Sequence, residues 1–173
     1  SANTGDDSIT ANPGTGNFNL DDWTVNMGGG DDAFTLSGGD NLLNSFIQLD
    51  GATSTADGDD TFLNNGSLIG STVRGLGGED TMTLGNLDAS TINGNKGNDS
   101  IVGNGGTFAS SEIMGGQGLD TINFNQGTTT SNTSINGNKG IDTITLGVTN
   151  TGASVYGGQG ADNIQAGANT TDG

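Results

Sequence analysis

The segment Ile113-Met-Gly-Gly-Gln-Gly-Leu-Asp-Thr-Ile122 decides the fold, because it returns along the chain about every twenty residues. Gap-free copies occupy residues 73–82, 92–101, 135–144 and 155–164, and looser copies surround Asp7, Asp32 and Asp60. From Asp32 onward, the motif aspartates are 28, 20, 19, 21, 22 and 20 residues apart. A sustained period of this length is typical of a solenoid in which each coil contributes one copy.

Apolar residues keep a fixed phase with this motif. One stands seven positions before the aspartate and another two positions after it, as Ile92 and Ile101 do around Asp99. The two positions flank a glycine-rich turn, so both side chains can point inward from short strands. Beyond the turn, apolar and polar residues alternate, as in the segment 82–84, which is the pattern of a half-buried strand.

The pattern therefore predicts an all-β chain, a right-handed parallel β-roll or β-solenoid with about 20 residues per coil and seven to eight coils. We expect a single domain over residues 1–173, with irregular coils and a cap in 1–60 and regular coils in 61–173. An insertion near Asp50 to Asp57 accounts for the 28-residue interval, and Asn17 to Gly30 is expected to form a strand closing the N-terminal end. A third inward position turns polar at Thr130 and Asn150, so the core should thin toward the C-terminus.

Composition restricts the function. Twenty acidic residues face only three basic ones, for a net charge of −17, so nucleic acid would be repelled. No apolar run is long enough to span a membrane. Histidine and cysteine are absent, which removes the usual general bases, thiol nucleophiles and zinc sites, and no glutamate stands in an apolar setting. We expect no enzymatic activity, because the regularly spaced aspartates have a simpler use as cation ligands.

The repeat also carries a resemblance. Residues 115–123 and 157–165 match the RTX, or haemolysin-type, nonapeptide G-G-x-G-x-D-x-U-x at every fixed position, and residues 94–102 and 137–145 depart only by Asn at the second glycine. The resemblance implies several Ca²⁺ ions bound between the turns of successive coils. Because RTX rolls usually carry binding turns on both sides and this chain has the motif on one side, we expect one column of up to about seven ions.

The physical basis of such a column can be given independently. Ca²⁺ takes 6–8 oxygen ligands, and a glycine turn can aim several backbone carbonyls at one point. The predicted metal site comprises the motif aspartates and the turn glycines: Asp32, Asp60, Asp80, Asp99, Asp120, Asp142 and Asp162, with Gly75, Gly78, Gly94, Gly97, Gly115, Gly116, Gly118, Gly137, Gly140, Gly157, Gly158 and Gly160. Chelation is then expected to unfold the chain.

Side chains beside the motif allow further interpretations. Lys96 and Lys139 occupy the variable third position of the turn and are expected to point outward as surface charge. Thr81, Thr121 and Thr143 follow the aspartates and could form either a hydroxyl ladder, which we favour, or a flat ice-binding face.

We expect a secreted, extracellular or cell-surface protein, and its leading function is that of a Ca²⁺-binding structural module of a surface layer, sheath or filament. Its end coils would leave open strand edges, which favours a homo-oligomer or head-to-tail polymer. The alternative is a Ca²⁺-triggered folding and secretion module of a larger enzyme, toxin or adhesin. Ice binding is the third hypothesis.

Overall fold

A computed structural model describes residues 4–11, 18–51, 57–126, 128–147 and 149–166. These residues form an all-β solenoid of about 7 turns, with roughly 21 residues per turn. The predicted parallel β-solenoid is therefore confirmed. Within the described ranges there is no helix with the length and apolar character that a membrane span requires.

The strands are short, and they follow one another along the chain as β1 (Ser8–Ala11), β2 (Asn19–Asp21), β3 (Thr24–Asn26), β4 (Ala33–Leu36), β5 (Asn41–Leu43), β6 (Phe46–Gln48), β7 (Thr61–Asn64), β8 (Ser67–Ile69), β9 (Thr72–Leu76), β10 (Thr81–Leu84), β11 (Asn86–Asp88), β12 (Thr91–Lys96), β13 (Ser100–Gly103), β14 (Thr107–Ala109), β15 (Glu112–Gln117), β16 (Thr121–Asn123), β17 (Thr129–Ser131), β18 (Ser134–Lys139), β19 (Thr143–Thr145), β20 (Thr149–Thr151), β21 (Ser154–Gln159) and β22 (Asn163–Gln165). They build three parallel sheets. The first sheet has the order β1-β4-β7-β10-β13-β16-β19-β22, the second β2-β5-β8-β11-β14-β17-β20, and the third β3-β6-β9-β12-β15-β18-β21.

Equivalent residues of successive coils lie in register, which places like side chains on top of one another. Ile101 pairs with Met82 and Ile122 in the first sheet, and Ile92 pairs with Val73 and Ile113 in the third. All these side chains are fully buried. Each fully buried aliphatic side chain contributes about 1.5–3 kcal/mol, so the two apolar columns hold the coils together.

The second sheet supplies the third inward column, and this column becomes polar toward the C-terminus. Leu87 and Phe108 are succeeded by Thr130 and then Asn150. The hydroxyl of the buried Thr130 donates a hydrogen bond at 2.6 Å to Oδ1 of Asn150, which is exposed on the next coil. The predicted thinning of the core is confirmed.

The chain turns three times per coil, and two of these corners matter below. The aspartate corner joins a third-sheet strand to the first-sheet strand of the next coil, as residues 97–99 do between β12 and β13. The serine corner joins a second-sheet strand to a third-sheet strand, as Ala89 and Ser90 do between β11 and β12. The glycine-rich motif therefore lies at one corner of the coil only.

One expectation for the N-terminal part was wrong. The closing strand expected from Asn17 to Gly30 is not formed by its described residues, 18–30, since β2 and β3 belong to different sheets and pair with β5 and β6 as in any other coil. Between them Asp22 has a φ of 58°, the left-handed conformation that Ala89 adopts with a φ of 47° at its own serine corner. Trp23 follows this corner and is partly exposed. Residues 52–56 of the expected insertion lie outside the described residues.

Candidate functional site

The motif aspartates form a continuous ladder at the aspartate corner. Each lies on the same inward face as the apolar residue two positions later, and from Asp32 onward Oδ1 accepts a hydrogen bond from the backbone N–H of the aspartate one coil before. The N–H to Oδ1 distances run from 2.7 to 3.0 Å along the series Asp7, Asp32, Asp60, Asp80, Asp99, Asp120, Asp142 and Asp162. The ladder therefore ties every coil to the next.

The second carboxylate oxygen, Oδ2, behaves differently from Oδ1 in six of the motif aspartates. Oδ2 is buried and without a hydrogen bond in six of them: Asp32, Asp60, Asp80, Asp99, Asp120 and Asp142. Asp162, in the last coil, is partly exposed. A buried carboxylate oxygen without a donor is costly, so each of these atoms requires a proton or a cation.

The electrostatics of the ladder agree with this requirement. Burial away from water raises the pKa of Asp80 to about 8, its hydrogen bond from Asp60 lowers it, and the charges of Asp99, Asp60 and Asp50 raise it again. Burial likewise raises the pKa of Asp60 and Asp120 to about 7 and that of Asp99 to about 6. The pKa values of Asp32 and Asp142 are also raised by burial. A bare negative charge is thus disfavoured throughout the ladder.

Backbone carbonyl oxygens lie close to the unpartnered carboxylate oxygens. Asp99 Oδ2 and the carbonyl oxygen of Gly115, one coil on, are both within 2.5 Å of the point where a Cβ on Gly94 would stand. Asp142 Oδ2 and the Gly157 carbonyl oxygen are related in the same way around Gly137. Two oxygen acceptors that face one space without a donor make a donor set suited to a hard cation such as Ca²⁺.

The motif glycines are required sterically. A Cβ at the first glycine of the motif would overlap the aspartate carboxylate of its own turn, at Gly75, Gly94, Gly115, Gly137 and Gly157. The later glycine has a φ between 94° and 146°, and a Cβ there would overlap a turn carbonyl of the preceding coil, at Gly78, Gly97, Gly118, Gly140 and Gly160. The turns are therefore packed backbone against backbone.

The second motif position has a left-handed backbone in every gap-free copy, including the copy with Leu76, whose φ is 89°. Gly116 and Gly158 have φ values of 127° and 104°, and Asn95 and Asn138 stand in register with them at φ values of 77° and 75°. Asparagine is among the few residues with a side chain that tolerate this left-handed region.

The predicted site residues are thus brought together at one corner. Among the residues that the structure describes, however, no three Asp or Glu side chains lie close enough to hold a metal ion by themselves. Any cation at this corner would have to be held by the motif carboxylates together with backbone carbonyl oxygens of the glycine turns. Lys96 and Lys139 are exposed, as expected for the third position of the turn.

The sequence analysis missed a second ladder at the serine corner. The backbone N–H groups of Trp23, Ser45, Ser71 and Ser90 donate to the hydroxyl of the serine in the next coil, namely Ser45, Ser71, Ser90 and Ser111, at 2.9–3.1 Å. Each of these hydroxyls in turn donates to the carbonyl oxygen two residues earlier in its own chain segment. The recurring serine about every twenty residues was the available signal.

Two further aspartates were also missed, because they stand outside the motif. Asp40 and Asp50 are buried, and each leaves Oδ2 without a hydrogen bond. Asp50 Oδ1 accepts the Gly51 N–H at 2.7 Å. Burial raises the pKa of Asp50 to about 6, and the neighbouring Asp57 carboxyl adds to the rise. Asp50 is therefore a buried carboxylate outside the repeat that also requires a proton or a cation.

Thr81, Thr121 and Thr143 lie in the first sheet, in the register row Thr61, Thr81, Ser100, Thr121 and Thr143. No hydrogen bond joins the hydroxyls of this row, all of whose members lie within the described part of the chain. The favoured hydroxyl ladder is therefore not formed by this row. Its residues join the coils through their backbone N–H groups, which donate to the carbonyl oxygens of the aspartates one coil before at 2.8 Å.

Comparison of the chain with protein-family models, with curated proteins and with solved structures found no match.

Proposed function

We propose that this chain is a Ca²⁺-stabilised structural module of an extracellular assembly. The observation that carries the proposal is the series of six buried aspartate Oδ2 atoms without a hydrogen-bond donor at one corner of the solenoid. Carboxylate and glycine carbonyl oxygens would be the ligands. The resemblance of residues 115–123 and 157–165 to the RTX nonapeptide supports the same ion.

An extracellular setting follows from the ion. Ca²⁺ sites of sensor proteins bind with micromolar affinity, and extracellular Ca²⁺ sites are weaker because they differ in ligand charge and rigidity. A column with one or two carboxylates per ion and neutral carbonyl ligands belongs to the weaker class. Such sites fill only where Ca²⁺ is abundant. The chain would then fold where it is used, outside the cell.

The ends of the solenoid support an assembly role. Ile164 in β22 is 45% exposed, whereas Ile144, its register partner one coil earlier, is fully buried. At the other end of the same sheet, Ile9 in β1 is only partly buried. Stacking of a second copy on the last described coil would cover Ile164 and give Asp162 a following turn. This head-to-tail contact is heterologous, so it would build open filaments.

Calcium titration of metal-free protein at pH 8 tests the central claim. We expect isothermal titration calorimetry to show several Ca²⁺ ions per chain, and circular dichroism to show a large rise in the unfolding temperature. Binding at one hundred times Kd stabilises by about 2.7 kcal/mol per site. Mg²⁺ serves as the matched control, because it demands a smaller octahedral site. Equal stabilisation by both ions, or no binding of either, would refute the proposal.

The assembly claim needs its own measurement. Light scattering and electron microscopy in millimolar Ca²⁺ are expected to show filaments, and Ile164→Asp is expected to abolish them while leaving Ca²⁺ binding intact. A Ca²⁺-binding chain that stays monomeric would instead favour the secretion-module function.

A further inference from the structure

An open groove of 770 Å³ runs along the outside of the third sheet, next to the aspartate corner. Its lining begins at Gly51 and Asp57 and extends from Gly77 across four further coils to Gln159. Asp57, beside Gly77, puts one carboxylate at the N-terminal end of the groove, so an anionic occupant would lie over the coils from Lys96 to Gln159. Because neighbouring strands are about 4.8 Å apart, the part from Gly77 to Gln159 is about 19 Å long. Its axis follows the solenoid, so an occupant that fills it must be extended.

The walls of this groove carry a regular row of polar side chains. Lys96, Gln117, Lys139 and Gln159 stand in register on successive coils. All four are exposed. None of their side chains makes a hydrogen bond or ion pair with another residue in the described ranges. In a chain with 20 acidic residues, two lysines without an acidic partner are unusual.

The floor of the groove adds amide donors. Asn93 Oδ1 accepts the Asn95 N–H, and Asn136 Oδ1 accepts the Asn138 N–H, each at 3.0 Å. These bonds fix both carboxamides with the oxygen toward the backbone. The NH₂ groups of Asn93 and Asn136 are then left as donors. Tyr156 does not line the groove, but it stands in register with Asn136 and is 55% exposed, so its ring lies one coil beyond a residue of the lining.

The two lysines are two coils apart, a separation of about 9.6 Å. This distance is close to the length of an extended β-linked disaccharide. A duplex nucleic acid carries one charge per 1.7 Å of axis, which is far denser than the lysine row and would meet the negative field of the whole chain. The row matches a polymer with one anionic group per disaccharide.

We infer that this groove binds an extended polysaccharide that carries one carboxylate per disaccharide repeat. Lys96 and Lys139 bind successive carboxylates, Gln117 and the two asparagines donate to hydroxyl and amide oxygens between them, and Tyr156 stacks on a sugar ring. The inference goes beyond the structural role proposed above and does not depend on Ca²⁺, because no motif carboxylate takes part in the contact.

Hyaluronan decasaccharide is the probe, since it alternates a uronate with an N-acetylated sugar. A chitin oligosaccharide of equal length is the neutral control, because it keeps the amides and lacks the carboxylates. Calorimetry on the wild-type chain is expected to show tighter binding of hyaluronan, weakening with added salt. Equal affinity for the two oligosaccharides, or no binding of hyaluronan at low salt, overturns the inference.

The chain offers matched variants. Lys96→Gln and Lys139→Gln install the residue that the adjacent coils carry at the same position, and each is expected to weaken hyaluronan binding about tenfold. Thr149→Glu lowers the net charge by the same unit at an exposed position of the second sheet, outside the groove lining, and is expected to change affinity less than twofold. An equal loss in Thr149→Glu would assign the effect to net charge and refute the groove.

Gln117→Lys provides a gain of function that a folding defect cannot imitate. It places a third cation between the two lysines and is expected to raise affinity for hyaluronan at low salt. An unchanged or lower affinity contradicts the inference. If instead the double lysine variant abolishes self-association measured by light scattering, the occupant is a second copy of the chain and the polysaccharide assignment fails.

Discussion

The aspartate corner and the serine corner perform the same mechanical task with different chemistry. At both, a side-chain oxygen accepts the backbone N–H of the preceding coil, at 2.9 Å for Asp99 to Asp120 and 3.1 Å for Ser90 to Ser111. The serine hydroxyl uses its own proton on the carbonyl oxygen two residues back, so all its hydrogen-bonding capacity in the corner is met. The aspartate keeps Oδ2 buried without a donor.

This difference shows that tying coils together does not require a charge. Serine fulfils the task at no electrostatic cost, whereas the aspartate ladder places a row of raised-pKa carboxyls about one strand spacing apart. A hydrogen-bonding role alone therefore does not account for aspartate at every copy of the motif. The second carboxylate oxygen, Oδ2, has a bonding partner when a cation or a proton lies between the turns.

The largest expected effect concerns pH in the metal-free protein. Because the pKa values of Asp99, Asp60, Asp120 and Asp80 are raised from 3.8 to about 6 to 8 in the folded chain, protonation stabilises the fold, and that stability is lost progressively as pH rises from the ordinary value through the raised ones. Each unit of pKa shift corresponds to about 1.4 kcal/mol, so the unfolding free energy should fall by several kcal/mol between pH 5 and pH 9.

With saturating Ca²⁺ the trend should reverse, since protons and Ca²⁺ compete for the same oxygens. Thermal unfolding followed by circular dichroism, in protein stripped over a chelating resin and in protein with Ca²⁺, gives both curves. Parallel curves in the two conditions would show that the ladder binds protons only.

A smaller effect is expected from Gly94→Ala. The new Cβ would overlap both the Asp99 carboxylate and the Gly115 carbonyl oxygen, and overpacking of this kind typically costs about 1–3 kcal/mol. Gly38→Ala is the matched control, since its Cβ would meet nothing nearer than Asn65 O at 3.6 Å. We expect chemical denaturation to show a loss for the first variant and little change for the second. Similar losses of unfolding free energy in the two variants would mean that the aspartate corner can accommodate a Cβ at Gly94.

The sequence was sufficient to predict the apolar columns and the aspartate corner. Apolar residues recur seven positions before each motif aspartate and two positions after it. When coils repeat in register, such residues stack inward, as Ile92 and Ile101 do. The motif also contains glycine at its first and fourth positions, where a Cβ would collide, as at Gly97. The spacing of the apolar residues and glycines in the sequence was thus sufficient to predict how the coils pack.

The serine corner was less visible for a physical reason. A serine at this corner does not constrain the residue types beside it in the sequence. The left-handed residue before it is Asn44, Gly70, Ala89 or Ser110. The same variability hid the corner at Asp22, where a single strand was expected. Asp50 escaped notice because its burial results from an irregular coil rather than from the repeat.

The smallest effect separates the two corners most directly. Asp99→Asn keeps the acceptor for the Asp80 N–H and replaces the unpartnered oxygen with an NH₂ group that can donate to the Gly115 carbonyl oxygen. At pH 8 without metal, we expect it to stabilise the chain by about 1–2 kcal/mol, because it removes a buried carboxyl that lacks a donor. With Ca²⁺ the sign should reverse, because one carboxylate ligand is lost.

Ser90→Ala at the other corner should cost about 1–2 kcal/mol in both conditions, because it leaves the Ser71 N–H without its acceptor. Denaturant titrations of both variants in both buffers decide the matter, and an Asp99→Asn effect of the same sign in both would mean that the aspartate ladder, like the serine ladder, serves only to join the coils.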